Sequence, residues 1–377
     1  MKRIFFGGIL IGLSFQISAQ TLRGYQFSEI KKIAETPVKS QDQTGTCWSF
    51  STSSFLESEF LRNGKPSVDL SEMYIVRKIY EQKMRNYILR QGKANFSQGA
   101  LAHDQIAAAA EFGLMPESAY SGKKGAIHNH EELEKVLQAM AGVYAASNPG
   151  SISGHWLEAT QRVLDAYLGV VPESFEFQGK RYTPKQFADF MGFDPKKYIS
   201  LTSFSHHPFY QSFVLEVPDN FSNGSFYNLP LDEMMGAVEH AVQNGYSVTW
   251  DADVSNKGFN AGKGLALQPE KSWSEYSSED AKKIWKEPSS SMVVTQEKRQ
   301  EEFMKLNTQD DHLMHLTGMV KDQKGGKYFV IKNSWGEISE LKGHVYVSES
   351  YARLNTISVL IPVDALPKTI KEKVGLK

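Results

Sequence analysis

The chain has 377 residues, room for two domains or for one large domain of two lobes. With 41% hydrophobic and 12% aromatic residues it can bury a sizeable core, which excludes a wholly disordered protein. Lys plus Arg (42) against Asp plus Glu (43) gives a formal net charge of −1, so no global field draws the chain to nucleic acid or to an anionic membrane, and a single cysteine excludes both a disulfide framework and a zinc site of several thiolates.

In chain order, Lys2 and Arg3 precede an apolar stretch from Ile4 to Ile17, and Ser18-Ala19 offers small residues for cleavage before Gln20. This reads as a secretory signal over residues 1–19, because the run is shorter than the roughly 20 residues that a bilayer span requires. The expected location is therefore periplasmic or extracellular, with no membrane contact after cleavage. In such a compartment a lone cysteine is either buried and inert or kept for its reactivity.

From Trp48 to about Asn63 the apolar residues Trp48, Phe50, Phe55, Leu56, Phe60 and Leu61 recur near helical spacing, which places Cys47 in a first helical turn. Helical patterns follow at about Ser71–Leu89, Leu101–Phe112, Glu131–Ala146, Trp156–Leu168 and Pro184–Met191, with a hairpin around Gln178-Gly179. Beyond residue 198 strand-like runs take over, at Tyr198–Phe204, Ser212–Val217, Ser247–Val254, His315–Val320, Tyr328–Lys332 and Gly343–Val347, interrupted by one helix at Leu231–Gln243. Residues 255–290 have weak periodicity and read as a long surface loop, with a substrate-facing lid as the functional alternative. The expected organisation is α+β: a mainly helical lobe over residues 20–195, with a helical and hairpin insertion at about 122–195, and a β-rich lobe over residues 196–377.

Cys47 follows Gly45, read as allowing a tight turn, and opens the apolar helix. Unsatisfied N–H groups at a helix N-terminus favour a thiolate, and Gln41 has an amide that can donate to an oxyanion forming near the thiol, together with the Cys47 N–H. A lone cysteine is more often a core residue, and a lone glutamine a solvated one. A thiolate also needs a base that becomes a cation beside it, and His312 and His315 are both candidates. Asn333-Ser334-Trp335-Gly336 follows the next strand, 21 residues after His312. Two strands joined by residues 321–327 bring His312 and Asn333 together, so that Asn333 can hold the imidazole and Trp335 can shield that bond from water. Taken alone, the tetrapeptide reads as a turn with a core tryptophan.

Gln41 with Gly45-Thr46-Cys47-Trp48-Ser49-Phe50, then His312, then Asn333-Ser334-Trp335-Gly336, resembles the papain-like cysteine peptidases. The 265 residues from Cys47 to His312 exceed the roughly 130 to 150 of simple papain-type enzymes and point to the bleomycin hydrolase and aminopeptidase C branch, which Asp311-His312-Leu313-Met314 also resembles. The resemblance implies a papain-like two-lobe fold, helical lobe plus β-barrel-like lobe, with the active site in the cleft between them. It also implies a catalytic set of Cys47, His312, Asn333 and Gln41, a thioester intermediate, peptide or protein substrates, and no cofactor or metal. It selects His312 over His315, since residues three apart on a strand face opposite sides. Gln98-Gly99-Ala100 resembles the strand that pairs with substrate backbone, so Gly99 and Trp335 are expected to line the substrate site.

Two features stand apart from that branch: the export signal, and a chain that stops soon after Asp364 without the longer C-terminal arm that restricts cleavage to N-termini. The expected activity is aminopeptidase C-like, with an open-cleft endopeptidase or a catalytically inactive peptide-binding or scaffold protein as alternatives, and a homo-oligomer is left open. Asp251 and Asp253 read as a solvated strand end, His206-His207 as a loop with a minor metal-binding alternative, and His128, His130, Glu131 and Glu132 as surface.

Overall fold

A computed structural model describes residues 19–148 and 150–376; the export signal expected at residues 1–19 lies outside the described residues except for Ala19. The chain begins with a hairpin, β1 (Ala19–Leu22) and β2 (Tyr25–Lys32), and then turns helical: α1 (Cys47–Arg62), α2 (Glu72–Leu89), α3 (Ala102–Phe112), α4 (Glu131–Ala145) and α5 (Trp156–Leu168). A short hairpin, β3 (Phe175–Phe177) and β4 (Lys180–Tyr182), precedes α6 (Pro184–Met191). Its turn residues Gln178 and Gly179 both take positive φ, as a tight two-residue hairpin requires, and its Phe177 packs edge-on to Phe187 of α6.

The second half supplies β5 (Tyr198–Thr202), β6 (Ser212–Val214), β7 (Ser225–Asn228), α7 (Leu231–Gln243), β8 (Val248–Ala252), β9 (Phe259–Asn260) and β10 (Leu265–Ala266). It continues with α8 (Ser278–Ile284), α9 (Gln296–Met304), β11 (His312–Lys321), β12 (Lys327–Lys332), β13 (His344–Ser348), α10 (Glu349–Asn355), β14 (Thr356–Pro362) and α11 (Lys368–Lys373). The main sheet runs β6-β7-β5-β14-β8-β11-β12-β13-β10-β9, and β2 adds to β11.

Strand β11 is the axis of this sheet. Antiparallel pairing gives it β8 along its first half, from His312 opposite Ala252 to Leu316 opposite Val248, and β2 along its second half, from Gly318 opposite Lys32 to Lys321 opposite Ser28. Strand β12 lies on its other edge. Nine of its ten residues are buried, because both faces are covered. Leu313 joins the core of the helical lobe, whereas Met314, Leu316 and Met319 join a second core with Leu231, Met234 and Val238 of α7. Period-2 geometry sends Leu313 and Met314 into different cores, and the irregularity between Leu316 and Gly318 lets Met319 join Met314 and Leu316.

Helix α1 packs on β11 from the helical side, and 14 of its 16 residues are buried. That burial explains its run of Ser49, Ser51, Thr52, Ser53 and Ser54: small side chains let neighbouring elements close in on it from several directions. Residues 255–290 are not the expected surface loop. They contribute β9, β10 and α8 with two short 3-10 turns, β10 pairs parallel with β13, and Leu265, Leu267, Ile284 and Trp285 are buried with Trp285 stacked on Trp273. The pattern was hidden because each element is only two to seven residues long.

Phe55 is fully buried at the seam of the lobes, edge-on to Tyr198 of β5 and to His315 of β11. Phe55→Ala is expected to destabilise the protein by about 3–5 kcal/mol, the cost of a large core cavity. Denaturant unfolding checks this: the midpoint falls with an unchanged slope, whereas Val170→Ala at an exposed site stays within about 0.5 kcal/mol of the parent.

Candidate active site

The loop from Gln41 to Thr46 is tied both to itself and to the segment after β12. Gln41 Nε2 donates to Thr44 O at 2.7 Å, and Thr44 Oγ1 donates back to Gln41 O at 2.7 Å. The Gln41 backbone N–H donates to Ser334 O at 2.9 Å, and Gln41 Oε1 accepts from Ser334 Oγ at 2.6 Å. Gln41 is therefore a buried, oriented amide with one N–H spent on Thr44 and a second left over.

Cys47 is the first residue of α1. Helix geometry leaves its backbone N–H without an intrahelical acceptor, and Thr46 provides no side-chain cap. The chain bends at Thr44-Gly45 without a positive φ at Gly45, and glycine there also supplies room, because a Cβ would lie 3.1 Å from Gln98 Cβ. Gln98 braces this start from outside: its Oε1 accepts from the Gly45 N–H at 2.7 Å and its carbonyl accepts from the Trp48 indole at 3.0 Å.

Across from Cys47 lies Leu313 of β11, whose backbone N–H favours the thiolate. Its neighbour His312 stands at the start of β11, buried, with Nε2 2.7 Å from Asn333 Oδ1. The Ser334 N–H also donates to Asn333 Oδ1 at 2.7 Å, which fixes that atom as the acceptor and requires His312 Nε2 to carry the proton. The neutral imidazole then presents Nδ1 as its free acceptor. Continuing the β11–β12 register puts Trp335 opposite His312, and the two rings stack with centroids 4.7 Å apart at 28°. Trp335 keeps 37% of its surface exposed, so it roofs the histidine and faces solvent on its outer side.

His315 is committed elsewhere. Its Nδ1 accepts from Ser54 Oγ at 2.8 Å, seven residues and about 10 Å of helix beyond Cys47. Burial and the nearby Lys332 charge hold it neutral.

Electrostatics depart from the sequence expectation. The helix N-terminus was expected to lower the Cys47 thiol, yet burial pushes it up to about 12, with Asp219, Asp251 and Asp310 adding to the rise against the Leu313 N–H. Burial also lowers His312 to about 4, opposed by Asn333. A helix terminus stabilises a thiolate by about 1 kcal/mol at an exposed site, and full desolvation outweighs that. Both shifts favour the neutral forms, a thiol and an unprotonated imidazole.

Of the expected residues, Cys47, His312, Asn333, Gln41 and Trp335 lie in one connected cluster, and Gly99 adjoins it through Gln98. Sequence reasoning missed Ser334, which links Gln41 to Asn333, and Gln98, which braces the loop; both lay inside quoted motifs but had no spacing signal of their own. Asp251 and Asp253 are buried, not a solvated strand end, because β14 and β11 enclose β8. His128 and His130 are likewise buried, His130 against Tyr80, while Glu131 and Glu132 are exposed. His206 and His207 sit 3.3 and 2.7 Å from Glu216, a partly exposed His-His-Glu group whose ligand-type atoms lie within 4.8 Å.

This fold, with a cysteine at the start of a buried helix facing a histidine strand, defines a papain-like cysteine peptidase. The chain belongs to the Peptidase C1-like family, whose profile matches residues 154–376, and the profile of the papain family cysteine proteases matches residues 26–148. It is 23% identical to Aminopeptidase C of Lactococcus lactis subsp. cremoris, over 89% of this chain and 82% of that protein. It is 21% identical to Aminopeptidase G of Lactobacillus delbrueckii subsp. lactis, over 89% of this chain and 83% of that protein. The crystal structure of PepW from Lactobacillus rhamnosis HN001 superposes with a TM-score of 0.72 at 18% identity, covering 92% of this chain and 84% of that one, and establishes the shared fold.

Because burial raises the thiol and lowers the imidazole, alkylation of Cys47 by iodoacetamide is expected to be slower than that of a free cysteine below pH 7 and to climb steadily into the alkaline range. A fast plateau from pH 5 upward would show that the pair is already ionised. Second-order rate constants between pH 5 and pH 10 make the distinction.

Proposed function

We propose that Cys47, His312, Asn333 and Gln41 are the catalytic residues of an exported, aminopeptidase C-like peptidase. The observation that carries the reading is the 2.7 Å bond from His312 to Asn333, next along β11 to Leu313, whose N–H favours the Cys47 thiolate. That bond leaves His312 Nδ1 as an acceptor, while the Cys47 N–H and one N–H of Gln41 remain unspent.

In this reading His312 Nδ1 takes the thiol proton as the sulfur attacks the peptide carbonyl. The carbonyl oxygen, now negative, is held by the Cys47 N–H and the free N–H of Gln41. His312 returns the proton to the leaving amine as the C–N bond breaks, leaving a thioester. Water then gives a proton to His312 and attacks the thioester, and the acid departs as the thiol is restored. Asn333 keeps the imidazole in the productive tautomer throughout, and Trp335 covers the bond between them. Gly99 and Trp335 serve as substrate-site walls. The names of the two relatives support action at peptide N-termini, and the Lys2-Arg3 start with its apolar run supports export.

Cys47→Ala is expected to abolish turnover, and Gln41→Ala to lower kcat by about 10²–10³-fold. Asn333→Ala should cost about 10²-fold, since it misorients the base without removing it. The substrates are matched peptides with free and acetylated N-termini, read by mass spectrometry. Stepwise loss of residues from free N-termini alone fits the aminopeptidase reading, internal cuts in both forms fit an open-cleft endopeptidase, and normal turnover by Cys47→Ala sinks the mechanism. For export, N-terminal sequencing of the mature protein is expected to begin at Gln20.

A further inference from the structure

We propose that His206, His207 and Glu216 form a binding site for a divalent ion of the zinc class. None of the three belongs to the catalytic set, and the site goes beyond the peptidase reading without depending on it.

The two histidines lie on the connection between β5 and β6, and Glu216 lies just after β6. The backbone of that connection is anchored by Asn228 of β7, which is fully buried. Asn228 Nδ2 bonds the carbonyls of Phe204 at 2.8 Å, His207 at 3.0 Å and Pro208 at 3.2 Å, and the Phe204 N–H donates back to Asn228 Oδ1 at 2.9 Å. Pro208 restricts the backbone of His207 further. Each imidazole is then oriented by an aromatic ring: His206 stacks on Phe303 of α9 with centroids 5.9 Å apart at 23°, and His207 on Phe213 of β6 at 4.1 Å and 23°.

Both rings turn Nε2 toward one carboxylate. His206 Nε2 lies 3.3 Å from Glu216 Oε2 and His207 Nε2 lies 2.7 Å from Glu216 Oε1, and the ligand atoms of the three residues lie within 4.8 Å of one another. Zinc bonds of about 2.0–2.2 Å at tetrahedral angles separate neighbouring ligand atoms by about 3.3–3.6 Å, so small side-chain rotations close the trio on one ion. Two imidazoles and a carboxylate suit Zn2+, Ni2+ or Cu2+ and not Mg2+ or Ca2+, which take oxygen ligands. Three protein ligands leave a fourth position open, and with the side chains 26%, 32% and 55% exposed it opens to solvent. Among the described residues Glu57-Asp69-Glu72 is a second group with ligand atoms equally close, but there Lys39 already pairs with both Asp69 and Glu72. Glu216 pairs with the two histidines and, among the described residues, with no lysine or arginine.

Gln300 of α9 is the outer partner of His206. Its Oε1 accepts from the Ser205 N–H at 2.6 Å, so its Nε2, 3.0 Å from His206 Nδ1, donates to that nitrogen. His206 therefore carries its proton on Nε2, facing Glu216. An ion on Nε2 moves that proton to Nδ1, which then requires an acceptor. Turning the Gln300 amide over supplies one at the expense of the bond to Ser205, an exposed residue whose N–H water can reach. Gln300→Glu removes the conflict, because a carboxylate accepts from both groups at once.

The test uses the untagged, full-length mature protein carrying Cys47→Ala, since a free thiol is itself a zinc ligand. Calorimetry with zinc chloride is expected to show one equivalent bound, and magnesium and calcium chloride at the same concentrations no binding. Loss of an outer-shell partner alone costs about 10–100-fold in metal affinity, so His206→Ala combined with His207→Ala should lose at least about 100-fold, and Glu216→Gln about 10–100-fold. Gln300→Glu should instead tighten zinc binding by about tenfold. Circular dichroism and the denaturant midpoint without metal, expected to be unchanged at these partly exposed positions, separate loss of the site from loss of the fold. No zinc binding by the parent, a preference for calcium or magnesium, or full zinc affinity in the double histidine variant would overturn the proposal. An affinity unmoved by Gln300→Glu would remove His206 Nε2 from the ligand set and the three-ligand site with it.

Discussion

The whole site depends on how α1 is clamped to β11. Helix α1 is buried on nearly all sides, and although the hydroxyls of Ser51, Thr52 and Ser58 have no partner, Ser54 and Glu57 are paired through a chain of contacts reaching across the lobes. Ser54 Oγ donates to His315 Nδ1 at 2.8 Å and accepts from Lys332 Nζ at 2.7 Å, and Lys332 also donates to Thr36 O at 2.7 Å. One turn further on, Glu57 accepts from the Leu70 N–H at 2.7 Å and from Thr36. Lys39 completes the set by bonding Glu72 at 2.8 Å. Breaking one partner of such a buried set leaves an uncompensated charge, at a cost of about 3–5 kcal/mol. The clamp fixes the rotation of α1 about its axis. Because each residue turns a helix by about 100°, a shift of one position would carry the Cys47 thiol away from Leu313 and His312.

This clamp also explains what was legible in the sequence. Helices α5, α6 and α7 show their boundaries to within a residue, since each has one apolar stripe and recognisable stops. The nucleophile loop and the Asn333-Ser334-Trp335-Gly336 turn were readable because chemistry restricts their residue types, and the hairpin spacing that links His312 to Asn333 is a local property. Strand β14 escaped notice because all seven of its residues are buried, and a strand buried on both faces has no alternation to detect. Helix α9 escaped for the opposite reason: it is polar nearly all round, with only Arg299 buried. Burial of His128, His130 and Asp251 was invisible because it is conferred by elements distant in sequence. A polar residue signals its exposure only through its neighbours in space.

Misreading Asp251 had a consequence for the electrostatics, since it concealed the negative side of the cleft. Desolvation opposes charge on Cys47 and on His312 alike, and the three carboxylates oppose the thiolate further. A thiolate and imidazolium formed together are less costly than either alone, because they attract each other in a medium of low dielectric constant. Burial, with a smaller contribution from the same acids, favours the thiol over the thiolate at Cys47, and a thiol is less open to oxidation.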